Sequence, residues 1–117
     1  MRVTSFNIIL NSEDRERLYA FYRDVVGLTE NDRHDGFDVA GAQILIDGHS
    51  EIAGPAKEPA RVIVDLFVED IAVEQARLEA QGVVFIRKQG KEFWGGIIST
   101  FLDPDGNYVQ LLEFRPE

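Results

Sequence analysis

Residues 101–114 read FLDPDGNYVQLLEF. Pro104 presets φ for the first central position of a reverse turn, and Asp103 can accept from the backbone that follows it. Gly106 and Asn107 tolerate the left-handed conformations that turn the chain back. The stretch is therefore strand, tight turn, strand. Alternation along YVQLLEF sets Tyr108, Gln110 and Leu112 on one face. An amide at Gln110, between Val109 and Leu111, makes that face the one to follow.

Working back from the turn, WGGIISTFL (94–102) is the preceding strand, with Gly95 and Gly96 permitting close backbone approach. VVFIRK (83–88) is the strand before it, with a turn expected at Gly90. IAVEQARLEAQG (71–82) has the spacing of a helix stopped by Gly82, and RVIVDLFVED (61–70) reads as a strand running into it. SEIAGPAKEPA (50–60) holds two Pro and a Gly and reads as a connection. The first half has the same order. VTSFNIIL (3–10) is a strand, and Leu18, Phe21, Tyr22, Val25 and Val26 define a helix over about 14–26 that stops at Gly27. Short strands follow near 28–32, in GFDVAG and in AQILID. Ser12-Glu13-Asp14 and Val68-Glu69-Asp70 stand 56 residues apart at matching strand-to-helix transitions. The expectation is an α+β fold: two β-α-β-β-β modules forming a curved mixed sheet around a cavity, in a single domain over 1–117. Module 1 covers about 1–49, the connection 50–60, and module 2 about 61–117.

At 117 residues the chain suits one domain, and 44% apolar with 28% charged residues is the balance of a folded soluble protein. A net charge of −9 argues against nucleic acid, which is held by clustered Lys and Arg. The N-terminal stretch MRVTSFNIIL lacks the apolar core of a secretory signal, and no run approaches a membrane span. A cytoplasmic location is the expectation. Without Cys there are no disulfides, thiolate nucleophile or Cys-type zinc site. His34 in DRHDGF and His49 in DGHSE fall in polar, turn-like contexts. No Ser-His-Asp order or phosphate-binding Gly loop stands out.

The module pattern, FYRDVVGL early and WGG…FLDPDGNYVQLLE late, resembles the vicinal oxygen chelate superfamily of glyoxalases, bleomycin-resistance proteins and extradiol dioxygenases. The resemblance spans nearly the whole chain. It implies, for metal-dependent members, one ligand on the first and one on the last strand of each module, usually His, Glu or Gln. Those positions are Asn7, Leu45, Ile63 and Gln110. Ile63 and Leu45 carry no donor atom and Asn7 is a poor transition-metal ligand, so no metal and no cofactor are expected. Gln43 or Asp47 would replace Leu45 if the register slipped, and Asn7, Asp65 and Gln110 would form a displaced site.

Alternation places Phe6, Ile8 and Leu10 under the first helix, and Ser5, Asn7 and Ile9 on the concave face. In module 2 it places Val62, Val64, Leu66 and Val68 under the helix, and Ile63, Asp65 and Phe67 on the concave face. A mostly apolar lining with isolated amide and carboxylate groups has the composition of a small-molecule pocket. The candidate ligand-binding residues are Asn7, Ile9, Ile63, Asp65, Phe67, Trp94, Tyr108 and Gln110. The resemblance is nearest the bleomycin-resistance branch, which implies a homodimer sequestering an apolar or aromatic small molecule, neutral or cationic, without metal. Nucleic acid and membrane are not expected partners. Two alternatives stand beside this: a lyase, isomerase or dioxygenase with a displaced metal site, and a non-catalytic interaction domain.

Overall fold

Two parallel strand pairs organise the chain, one in each half, and in both the first strand lies beside the last. The computed structural model describes residues 1–114, so the final three positions of the expected second module lie outside the described residues. The chain divides into two compact units, 1–54 and 55–117. Each builds a four-stranded mixed sheet with a helix on one face, the α+β architecture expected.

In the first unit the strands are β1 (Asn7–Asn11), β2 (Thr29–Glu30), β3 (Gly36–Val39) and β4 (Ala42–Asp47), ordered β1-β4-β3-β2. Helix α1 (Arg15–Ala20) starts at Asp14, whose carboxylate accepts from the Arg17 amide at 3.2 Å and so satisfies one of the free N-terminal donors. A π-helical turn, Phe21–Val26, follows, with the Gly27 amide reaching back to the Tyr22 carbonyl at 3.1 Å and Gly27 left-handed at φ 85°. The single helix expected over 14–26 is thus two pieces. The core is aromatic: the Phe37 ring lies 4.8 Å from that of Tyr19 and 6.4 Å from that of Tyr22, and Leu18, Tyr22 and Phe37 are fully buried.

The second unit repeats the order with β5 (Val64–Phe67), α2 (Ile71–Ala80), β6 (Phe85–Lys91), β7 (Gly96–Leu102) and β8 (Tyr108–Phe114), arranged β5-β8-β7-β6. Asp70 caps α2 as Asp14 caps α1, accepting from the Val73 amide at 3.2 Å. The buried Glu113 of β8 accepts from the Ile71 amide at 2.8 Å, satisfying a second donor of the same helix end. Gln75 of α2 accepts from the Gln89 amide at 3.1 Å, where irregular register in β6 takes the strand out of step with β7. The Asp-Pro-Asp-Gly-Asn turn is held by Asp103: its Oδ1 accepts from the amides of Asp105 and Asn107, and its Oδ2 from the Asn107 side chain at 2.8 Å.

Three local expectations are corrected. Phe6 and Val62 are 63% and 67% exposed rather than packed under helices, because β1 begins at Asn7 and β5 at Val64. The residue opposite Val62 would be Asn107, which lies outside β8 and is committed to Asp103, whereas Phe6 stops short of pairing although Ala42 opposite it begins β4. The turn expected at Gly90 falls instead at residues 92–95, closed by the Gly95 amide on the Glu92 carbonyl at 3.0 Å, with Gly90 inside β6.

Candidate functional site

Strand register sorts each sheet into a helix-covered face and an open face, because paired residues point the same way. In the second unit Val64, Leu66, Phe101, Val109, Leu111 and Glu113 share the covered face. The open face carries Asp65 and Phe67 on β5, Tyr108 and Gln110 on β8, and Leu102 on β7, with Leu112, Ile98 and Thr100 on the same side but buried. Asp65 stands directly opposite Gln110, which stands opposite Thr100. The Gln110 Nε2 donates to the Asp65 Oδ1 at 3.0 Å. Gln110 is therefore half of a carboxylate–amide pair, and its orientation is set by Asp65.

Around this pair the lining is apolar and aromatic. Phe67 is 70% exposed and lies two residues beyond Asp65, and Tyr108 lies two residues before Gln110. The strands are parallel, so the rings flank the pair on opposite sides, each about 7 Å along its strand. Tyr108 also lines an open depression of about 460 Å³ with Glu58, Pro59, Ala60 and Arg61. Arg61 and Glu58 neutralise one another there, Nη2 to Oε2 at 2.9 Å. Ile63 is 38% exposed and precedes β5.

Trp94 sits elsewhere on the same face. Gly96 points to the open face with Ile98 and Thr100, and the Trp94 ring fills the space a Cβ on Gly96 would take. That places the indole at the far end of β7, about 13 Å along the strand from Thr100. Phe93, at the tip of the same turn, is fully exposed.

Asn7 and Ile9 belong to the open face of the first unit, where Asn7 pairs with Gln43 and Ile9 with Leu45. The two halves superpose in register: caps Asp14 and Asp70 correspond, the Ile9–Leu45 pair corresponds to Asp65–Gln110, and the fully buried Phe37 corresponds to the fully buried Phe101. Where the second unit has a hydrogen-bonded polar pair, the first has two aliphatic side chains. The polar group of the first unit is one pair along: the Gln43 Nε2 donates to Asp38 Oδ1 at 3.3 Å while its Oε1 accepts from Asn31 Nδ2 at 3.3 Å.

The residues at the positions that metal-dependent relatives use do not fit a transition metal. Leu45 lies opposite Ile9, and Ile63 flanks Asp65; neither side chain has a donor atom. Among the described residues no three His, Asp or Glu side chains gather as a ligand set. His34 is exposed and bonded to Glu30 at 3.0 Å, and His49 accepts from the Glu51 amide at 3.0 Å.

Sequence alternation put Asp65, Phe67, Tyr108 and Gln110 on this face. It missed Thr100, Ile98 and Leu102, because which face of β7 matches Gln110 depends on pairing across a turn. It also missed residues 58–61, read as connection, where Glu58 and Arg61 at a spacing of three beside Pro59 were the available signal.

A family model described as Glyoxalase/Bleomycin resistance protein/Dioxygenase superfamily matches residues 5–111. Among solved structures, a superfamily member from Sphaerobacter thermophilus is similar with a TM-score of 0.69 and 23% identity, covering 97% of each chain. A glyoxalase/bleomycin resistance protein/dioxygenase from Nocardioides has a TM-score of 0.72 at 20% identity, covering 97% of this chain and 85% of its own. TnmS3, an antibiotic binding protein from Streptomyces, has a TM-score of 0.73 at 21% identity, covering 97% of this chain and 98% of its own. These likenesses establish the fold. No curated protein sequence matches.

Proposed function

The chain belongs to the glyoxalase/bleomycin resistance protein/dioxygenase superfamily, and within it we propose that the protein binds and sequesters an apolar or aromatic small molecule without metal catalysis. The observation that carries this reading is the open face of the second unit, where exposed Phe67 and half-buried Tyr108 flank the Asp65–Gln110 pair. Aromatic walls supply affinity by removing apolar area from water, and a sparse polar group orients what they hold. The four positions suited to metal ligands hold two aliphatic residues, which favours holding a ligand over activating one. That TnmS3, similar in fold, is an antibiotic binding protein supports a ligand-binding reading. Ile63 and Trp94 complete the proposed ligand-facing set of this unit, and Asn7 and Ile9 are the proposed ligand-facing residues of the first unit. We take the working form to be a homodimer in the cytoplasm.

The test is a titration of intrinsic Trp94 emission and of thermal stability with a panel of neutral and cationic aromatic compounds, alongside elemental analysis of protein purified without added metal. Saturable binding by a subset of the panel, with no metal at a stoichiometric level, is the expected result. No saturable response at millimolar concentrations, or about one firmly held transition metal per chain, would overturn it.

A further inference from the structure

We propose that the Asp65–Gln110 pair makes the site selective for ligands presenting two adjacent N–H donors on a cationic centre, such as an amidinium or guanidinium carried on an aromatic frame. The inference rests on the ligand-binding reading of this same face and names the ligand class. Because Gln110 spends an Nε2 donor on Asp65 Oδ1, the amide turns its Oε1 away from that bond. Among the described residues, Gln110 Oε1 and Asp65 Oδ2 accept no hydrogen bond from the protein. What the pair offers to a ligand on this face is thus two acceptors on neighbouring strands, one of them charged. A carboxylate or carbonyl ligand would meet like partial charges, whereas two N–H groups on one cation satisfy both acceptors, and charge-assisted bonds are the stronger kind.

The first unit supplies the contrast. Its Gln43–Asp38 pair has the same donor arrangement, but Asn31 already occupies the Gln43 Oε1, so that acceptor is spent within the protein. At the positions equivalent to Asp65 and Gln110 it has Ile9 and Leu45. The open acceptor pair is therefore particular to the second unit. Phe67 and Tyr108, about 7 Å to either side, would take the aromatic frame that carries the cation.

Calorimetric titration with three probes of one shape separates the alternatives: naphthamidinium, neutral acetylnaphthalene and naphthoate. The expected result is naphthamidinium binding at least about tenfold more tightly than acetylnaphthalene, with naphthoate weakest. The preference should disappear in Asp65→Asn, which keeps the shape of the pair but not its charge. It should also disappear in the double variant Asp65→Ile, Gln110→Leu, which copies the Ile9–Leu45 pair. Unchanged circular dichroism of the isosteric Asp65→Asn protein confirms that the fold is intact. Equal binding of all three probes, or a preference that survives Asp65→Asn, overturns the donor-pair selectivity and leaves the ligand-binding reading standing. Failure of all three to bind at millimolar concentration removes both.

Discussion

Tyr19 donates its phenolic hydrogen to Glu30 Oε2 at 2.6 Å, and His34 Nδ1 meets the same oxygen at 3.0 Å. Burial, then the hydrogen bond and negative charge of Glu30, push the Tyr19 phenol up to about 12, although Arg15 and Arg23 over its ring pull the other way. The folded protein then keeps this proton at pH values where the unfolded chain, titrating near 10, has lost it. The contribution to stability is full below pH 10 and is lost as the pH rises through about 12. Glu30 runs the opposite way. The hydrogen bonds from His34 and then Tyr19 hold its carboxyl below the ordinary 4.5, so its contribution is present above that value and fades as the pH falls through the folded one. Absorbance titration should show a tyrosine ionisation near pH 12 that is smaller by one tyrosine in Tyr19→Phe. The same substitution should flatten the alkaline loss of stability in denaturant melts, and an unaltered late step would refute the assignment. Sequence periodicity put Tyr19 on a helix, but its partnership with Glu30 depends on a two-residue strand, β2, too short to have a period.

The hairpin joining β3 and β4 turns through Ala40 and Gly41, with φ of 47° and 87°. Positive φ at both central positions is the type I′ arrangement, whose twist suits a two-residue hairpin. Gly41 adopts it freely, whereas the Ala40 Cβ crowds the backbone. Ala40→Asn should therefore stabilise the protein by about 0.5–1 kcal/mol in urea denaturation, since Asn is favoured at this position; a loss of stability would show that the turn is otherwise constrained. The elements most legible in the sequence, α2, β4 and β8, combine clear periodicity with a cap or a turn that ends them. The starts of β1 and β5 were not legible, because Val3, Phe6 and Val62 carry the apolar pattern ahead of the first paired residues, Asn7 and Val64. The hydrogen bond between Asp65 and Gln110 was equally hidden: each residue could be assigned a face, but their apposition comes from register between strands 45 residues apart.

For the molecule as a whole, β1 and β5 are sheet-edge strands that carry exposed apolar groups, among them Ile9 at 56% and Phe67 at 70%. Exposed edges and apolar groups of this kind are normally covered in solution. The proposed homodimer predicts a sedimentation mass twice the 13.2 kDa of one chain at micromolar concentration, and a mass of one chain would rule it out. The duplicated architecture was visible in the sequence as two strand-to-helix transitions in step, although the halves share little identity. The 56-residue offset already set Ile9 against Asp65, and the matching last strands set Leu45 against Gln110; what the sequence could not reveal is that these residues pair, Ile9 with Leu45 and Asp65 with Gln110.

The parallel pairing of first strand with last also fixes when each unit can close as the chain emerges from the ribosome. The first unit has all its strands once residue 47 is free, and can fold while the rest is still being synthesised. In the second unit β5 has no neighbour in its sheet until β8 arrives, and the Glu113 carboxylate that satisfies the start of α2 is 42 residues downstream of Ile71. Its opening strand must wait for β8 and its helix start for Glu113, and the long loop that this closes makes the second unit the slower to mature.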